Sequence, residues 1–274
     1  MPEHAYDTIG SRYDIIKAAS FNKLERFNLK RSVQPLLQKD GTSASVLDMA
    51  CGTGFYSHLL LEWGAEAVTG VDISAPMLKC AEARLSRTSY ASRARFLQGD
   101  GLEPRLYGAG FDLVVGSWFL NYAKDLDELT AMFRTISMNL AAHGVFVGIC
   151  FHPTNDLESF AVGTNESPWR NSGVQYEYQH QLPGGIGYQI RIASFPPPGH
   201  PSPPDRVEFT SRHLRKCHYE EAARAGGMNG KIEWRLCEFL GDEWRSELRL
   251  EGDDEAWRKL QQHPPLSILM VGRE

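Results

Sequence analysis

One segment leaves this chain few ways to fold: Val46-Leu47-Asp48-Met49-Ala50 followed by Cys51-Gly52-Thr53-Gly54-Phe55-Tyr56. A short apolar run ending in a carboxylate and a Gly-x-Gly turn reads as a buried parallel strand turning sharply into a helix. Glycine suits such a turn because the backbone can take positive φ there and approach a ligand closely. The pattern then repeats. A helix is expected over 56–63, closed by Gly64, followed by a second strand over 67–71 capped by Asp72. A helix over 76–86 with Pro76 in its first turn comes next. Further strands are expected over 95–98, 111–115 and 144–151, with a helix over 126–140 between the last two. Alternation of this kind implies a parallel sheet with helices on both faces.

On either side of this core the pattern differs. Residues 4–40 carry apolar positions at three- and four-residue steps and read as helical. After the fifth strand, 174–180 and 187–195 alternate around Pro183-Gly184-Gly185, as an antiparallel hairpin would. Six of the 15 prolines follow between Pro196 and Pro204, predicting a stiff surface loop. A helix over 212–225, stopped by Gly226-Gly227, and strands over 231–239 and 266–273 complete the sheet domain. The expected organisation is therefore a helical lid (1–40), an α/β domain (41–152 and 210–274) and an inserted β-rich lobe (153–209).

Three acids stand at the ends of successive strands: Asp48, Asp72 in Gly70-Val71-Asp72-Ile73-Ser74, and Asp100 in Gln98-Gly99-Asp100-Gly101. Taken singly, each is an ordinary cap or turn residue. In one parallel sheet they converge on the crevice where open α/β sheets bind ligands. A carboxylate accepts both hydroxyls of a ribose, or an exocyclic amine, through charge-assisted hydrogen bonds. A dinucleotide fingerprint would want a third glycine where Ser57 stands, and an acid ahead of the glycines suits a cationic ligand better than a phosphate. A nicotinamide-dependent oxidoreductase is the alternative this weighs against.

Composition narrows the partners. With 29 Lys and Arg against 34 Asp and Glu, the net charge is −5, which argues against nucleic acid or an anionic membrane as the ligand. The run Val145–Phe151 is too short to span a bilayer, and no apolar leader is visible at the start of the sequence. Five scattered cysteines without a CxxC pair suggest reduced thiols in the cytoplasm and no zinc site. No metal-binding pattern is expected.

The segment Asp48 to Gly54, together with Asp72, Asp100 and the strand Phe111-Asp112-Leu113-Val114-Val115, resembles the class I S-adenosylmethionine-dependent methyltransferases, especially those acting on small molecules. The resemblance covers roughly 5–151 and the final helix and strands. It implies a Rossmann-like, seven-stranded, mostly parallel sheet with an antiparallel last strand at 266–273. Carried over by position, it implies S-adenosylmethionine as cofactor and S-adenosylhomocysteine as product. Ala50, Gly52 and Gly54 would lie against the methionine part, with Asp48 organising its ammonium. Asp72 would hold the ribose, Ile73 and Met77 would pack near the adenine, and Asp100 and Gly101 would take its edge. Ser117 and Trp118 would lie beneath the sulfonium. Tyr6-Asp7 and Tyr13-Asp14 resemble a segment folded over the cofactor, with Tyr13 placed to reach the methionine carboxylate. Cys51 is an ordinary residue of this motif and carries no expectation of nucleophilic chemistry.

A methyl acceptor that must lose a proton needs a base. His152, directly after the fifth strand, is the histidine best placed by topology, and with Tyr122 and Tyr178 it is expected at the substrate. His180 is a weaker candidate. His213 and His218, five apart on an expected helix, read as surface residues. The lobe aromatics Phe160, Trp169, Tyr176, Tyr178, Tyr188 and Phe195 offer apolar area to a small, partly aromatic metabolite. Oxygen, nitrogen and carbon acceptors are equally compatible, as are a monomer and a homodimer. A protein that binds the cofactor without transferring its methyl is the remaining alternative.

Overall fold

The computed structural model describes residues 17–39, 41–165, 174–194, 207–239, 243–248 and 250–274. Tyr6, Tyr13, Trp169, Phe195 and the proline cluster lie outside the described residues.

Helix α1 (Ser20–Leu37) precedes the alternating core: β1 (Ser45–Met49), α2 (Phe55–Glu62), β2 (Ala67–Asp72), α3 (Ala75–Leu85), β3 (Ala94–Gln98), β4 (Phe111–Ser117), α4 (Leu126–Asn139) and β5 (Leu140–Phe151). Then come α5 (Leu157–Asn165), β6 (Val174–Gln181), β7 (Gly187–Ser194), β8 (Val207–Leu214), α6 (Lys216–Ala225), β9 (Ile232–Leu236), α7 (Glu243–Glu247), α8 (Asp254–Gln262) and β10 (Leu266–Gly272). The seven-stranded sheet has the order β9-β10-β5-β4-β1-β2-β3, with β10 alone reversed against its neighbours. The expected Rossmann-like sheet with an antiparallel last strand is thus present.

The pleat of the central strands sorts their side chains between two cores. Val46, Val115, Val147 and Ile149 pack with Leu24 and Leu29 of α1 and Leu60 of α2 on one face. On the other face Leu47, Met49, Val114 and Phe146 pack with Leu129, Phe133 and Ile136 of α4. Both faces of β1 are buried, which is why it reads as an uninterrupted apolar run. The helices begin on local signals: the Ser74 hydroxyl accepts from the Met77 N–H at 3.4 Å, and the Asp125 carboxylate from the Glu128 N–H at 2.8 Å.

The lobe carries three strands. β8, β7 and β6 form an antiparallel sheet, and β8 spans 207–214, so Arg212 and His213 lie on a strand and the following helix starts only at Lys216. Polar residues at the inward positions of β8 conceal its alternation: Val207, Ser211 and His213 are all buried. This strand fastens the lobe to the sheet domain. The Asn121 amide donates to the Arg212 carbonyl at 3.1 Å, and the Arg212 guanidinium to the Tyr122 carbonyl at 2.5 Å.

His213 is fully buried rather than on the surface. Its Nε2 lies 2.6 Å from the His152 carbonyl, which can only accept, so Nε2 carries the proton and Nδ1 accepts from the Tyr178 hydroxyl at 2.6 Å. Burial depresses the His213 pKa to about 3, against an unfolded value near 6.5, so the ring is neutral in the fold. The stability this contributes is full above pH 6.5 and is lost as pH falls toward 3. His213→Gln keeps a donor and an acceptor without a titrating ring. The stability advantage of the wild type over this variant should therefore shrink by up to ~1.4 kcal/mol per pH unit between pH 6.5 and 4 in urea titrations. An advantage that is flat across that range would contradict a buried neutral His213.

Candidate active site

At the C-terminal ends of β1, β2, β3 and β4 lies a cavity of about 470 Å³, within the range that holds small molecules. Asp48, Asp72 and Asp100 all line it, as do Ala50, Gly52, Ile73, Met77, Gly101, Ser117, Trp118 and Tyr122. The acids expected to converge do so.

Each acid is held in place. Asp48 is 1% exposed and accepts from the Ser57 hydroxyl at 2.6 Å. Ser57 occupies the position where a dinucleotide fingerprint carries its third glycine, and here a hydroxyl is needed to hold the acid. Asp72 accepts from the N–H of Gly52 at 2.8 Å and of Ser74 at 2.9 Å, one on each carboxylate oxygen. Asp100 accepts from the Leu102 N–H at 2.9 Å. Burial pushes the Asp48 pKa up to about 7; the Ser57 bond opposes this shift, and the nearby Asp72 charge adds to it.

The backbone at the site is shaped for close approach. Gly52 has φ +53°, and a Cβ there would meet no atom within 4 Å, so its position is open toward the cavity. Ala50 and Trp118 also line the cavity in left-handed conformations, at φ 55° and 64°, which costs a non-glycine residue on the order of 1–2 kcal/mol each. Trp118 is held there by its N–H bond to the Ile149 carbonyl at 3.1 Å and by ring contact with Phe151 at 5.0 Å. The Ser117 hydroxyl is buried without a hydrogen-bond partner. An orphaned hydroxyl beside a cavity is a group a ligand would satisfy.

A second, smaller cavity adjoins the first. Lys17, Trp118, Tyr122 and Phe209 line both, and the smaller one is completed by Phe21 and Glu25 of α1 and by the inner face of β6–β8. Taken together, the two spaces present an acidic, partly buried trough for a cationic polar ligand, ending in an aromatic niche.

Comparison with known proteins bears on this geometry. Residues 46–144 match the model of a methyltransferase domain. Two curated relatives are a demethylmenaquinone methyltransferase of Desulfitobacterium hafniense and a malonyl-[acyl-carrier protein] O-methyltransferase of Magnetococcus marinus. The first is 29% identical over 49% of this chain and 53% of its own length, the second 37% identical over 34% and 35%. A solved S-adenosylmethionine-dependent methyltransferase from Clostridium acetobutylicum superposes with a TM-score of 0.59 at 21% identity, covering 92% of this chain and 91% of that one. Residues 46–144 thus carry a methyltransferase domain, and the chain as a whole shares the fold of solved S-adenosylmethionine-dependent methyltransferases. It spans about half the length, or less, of the curated relatives it matches.

Three expected site residues are placed elsewhere. Gly54 does not line the cavity: at φ +71°, a Cβ there would lie 2.8 Å from that of Ala81, so this glycine lets α3 pack against the start of α2. His152 stacks on Phe160 at 4.9 Å and donates its backbone N–H to the Pro265 carbonyl, on the β10 side of β5, away from both cavities. Burial lowers its pKa to about 4. Tyr178 is buried in the lobe, bonded to His213, and Tyr176 takes the lining position instead. Conversely, Lys17 just ahead of α1, Glu25 on α1, and Phe209 and Arg212 on β8 reach the cavities, which the strand-end motif says nothing about. Among the described residues no group of three His, Cys, Asp or Glu could hold a metal ion, and no helix is long and apolar enough to cross a membrane.

Because the folded pKa of Asp48 exceeds its unfolded value of 3.8, the folded chain retains a proton between about pH 4 and 7 that the unfolded chain has released. The ligand-free protein therefore loses stability as pH rises through that window. Asp48→Asn, which keeps an acceptor for Ser57, should gain stability relative to the wild type from pH 4.5 to 8, at up to ~1.4 kcal/mol per unit. Thermal denaturation of both proteins across that range checks this; a gain that is constant with pH would contradict it.

Proposed function

We propose that the chain transfers the methyl group of S-adenosylmethionine to a small, partly aromatic or apolar acceptor seated where the two cavities meet. The observation that carries this is the placement of Asp48, Asp72 and Asp100 around one cavity that ends at the aromatic niche of Trp118, Tyr122 and Phe209. The buried, unpartnered Ser117 hydroxyl and the open position at Gly52 fit a ligand that presses against the β1–α2 turn. When bound, the cofactor supplies a methyl group already activated on a sulfonium, so no protein nucleophile is required.

The chain's own residues then bind, orient and exclude water. Asp72, fixed by two backbone N–H groups, accepts the ribose hydroxyls; Ile73 and Met77 pack near the adenine, and Asp100 and Gly101 take its edge. Asp48 puts a negative charge near the ammonium, alongside Ala50 and Gly52. A cation there offsets the burial cost of Asp48, so binding strengthens as that carboxyl ionises. Trp118 and Tyr122 supply aromatic faces to the sulfonium, worth roughly 0.5–2 kcal/mol. That attraction fades as the charge is neutralised, so it favours binding over the chemical step. Rate comes from alignment: acceptor atom, methyl carbon and sulfur must be collinear in a closed site. The Tyr13 segment is proposed to close over the methionine end. The two relatives are named for demethylmenaquinone and for a carrier-bound malonyl group as acceptors, and the aromatic niche here favours a flat ring. We place the reaction in the cytoplasm, on a metabolite rather than on nucleic acid or a membrane.

The purified chain, incubated with S-adenosylmethionine and a panel of hydroxylated and aminated aromatics, should form S-adenosylhomocysteine. Methylation of a peptide or RNA alone would overturn the acceptor class. Asp72→Ala should weaken calorimetric binding of S-adenosylhomocysteine at least tenfold, since hydrogen bonds to a charged group contribute about 1.5–3 kcal/mol each. Unchanged affinity in a folded variant would contradict the ribose assignment.

A further inference from the structure

Glu25 is 3% exposed, on α1, and lines the smaller cavity with Trp118 and Tyr122. The surroundings are apolar: Phe21, Tyr176 and Ile192 line the same space. Three donors reach the carboxylate, and all reach the same oxygen. The Asn22 amide donates to Oε2 at 2.7 Å, the Tyr56 hydroxyl to Oε2 at 2.9 Å, and the Lys17 ammonium lies 3.5 Å from Oε2. No described residue donates to Oε1. Glu25 lines the smaller cavity, so this oxygen is open to a donor from a ligand there, in a largely apolar setting where a hydrogen bond to a charged group is worth more than in water.

The smaller cavity holds about 30 Å³, room for one functional group and not for a ring. Its boundary with the larger cavity is lined by Trp118, Tyr122 and Phe209, flat apolar faces suited to a ring. We propose that Glu25 Oε1 recognises the methyl acceptor by accepting a hydrogen bond from its hydroxyl or amine. The acceptor's ring then lies at the aromatic boundary. This builds on the methyl-transfer function proposed above and gives the acceptor a narrower class: a flat, apolar molecule with an O–H or N–H donor, not a carboxylate or phosphate. An anion would meet the Glu25 charge in a low-dielectric niche. The Lys17 charge does not rescue it, because its ammonium already lies against Glu25 and 4.7 Å from the centre of the Tyr56 ring. Tyr56 also lines the larger cavity, so the same carboxylate positions a residue on the cofactor side.

Binding of three probes to the full chain tests this: phenol, toluene (the same shape without the donor) and benzoate. Dissociation constants come from ligand-observed NMR, with and without S-adenosylhomocysteine. Phenol should bind the wild type at least tenfold more tightly than toluene or benzoate, since a buried polar group left unpaired by an analogue discriminates strongly. Glu25→Gln should narrow that gap to within about threefold and admit benzoate, with its fold verified by near-UV circular dichroism. Toluene or benzoate binding the wild type as tightly as phenol would overturn the proposal. So would a folded Glu25→Gln that keeps the full selectivity. If that variant does not fold, the wild-type comparison decides by itself. Calorimetry with S-adenosylhomocysteine separates the two claims. Cofactor binding without probe selectivity defeats the role of Glu25 alone. Probe selectivity without cofactor binding supports Glu25 as a donor-recognising residue and defeats the methyl-transfer function.

Discussion

A carboxylate buried at the end of the central strand of a parallel sheet is a demanding thing to build. Asp48 sits among apolar side chains that form both faces of the sheet, and the hydroxyl that bonds it comes from the first turns of the following helix. To place Ser57 there, the chain must turn from β1 into α2 within a few residues, which requires Gly52 and Gly54 at positive φ. That tight turn brings the Gly52 N–H onto Asp72, and so ties the end of β1 to the end of β2. The acidic trough is a consequence of this one turn. Burial makes the Asp48 charge costly, raising its pKa to about 7, and a cation bound beside it would offset that cost.

The rest of the molecule encloses what the turn creates. Helix α1 covers the sheet against β5 and β10 and carries Glu25 and Phe21 to the smaller cavity. The antiparallel lobe is fastened through β8 to the 3-10 turn at Leu120–Tyr122, immediately after β4, so its inner face is held over Trp118 and Tyr122. The buried Tyr178–His213–His152 chain of hydrogen bonds joins the lobe to the end of β5. The Tyr178 hydroxyl is thereby committed to His213, while the His152 ring stacks on Phe160, so neither side chain faces the cavities.

How much of this could be read from residues alone follows from where the signals lie. Strand-end acids and a glycine turn are local and carry their physics in a few positions, so Asp48, Asp72 and Asp100 were legible, as was a strand at 266–273, whose reversed direction came only from the family resemblance. β8 was not legible, because Ser211 and His213 stand at inward positions and break the apolar alternation that marks a strand; the segment from Arg212 on reads as helix. Gly54 looks like part of the ligand cradle because the motif does not reveal that Ala81 arrives beside it. Glu25 reads as an ordinary polar residue of an amphipathic helix. Its role depends on Asn22, Lys17, Tyr56 and the lobe meeting around it, and no spacing in the sequence encodes that meeting.

The most direct measurement is a crystal structure of the chain with S-adenosylhomocysteine. The ribose hydroxyls are expected within hydrogen-bond distance of Asp72, the amino-acid end between Asp48 and Ser117, and the sulfur turned toward Trp118 and Tyr122. A nucleoside bound away from the ends of β1 and β2, or an Asp72 carboxylate that makes no contact with it, would contradict the account.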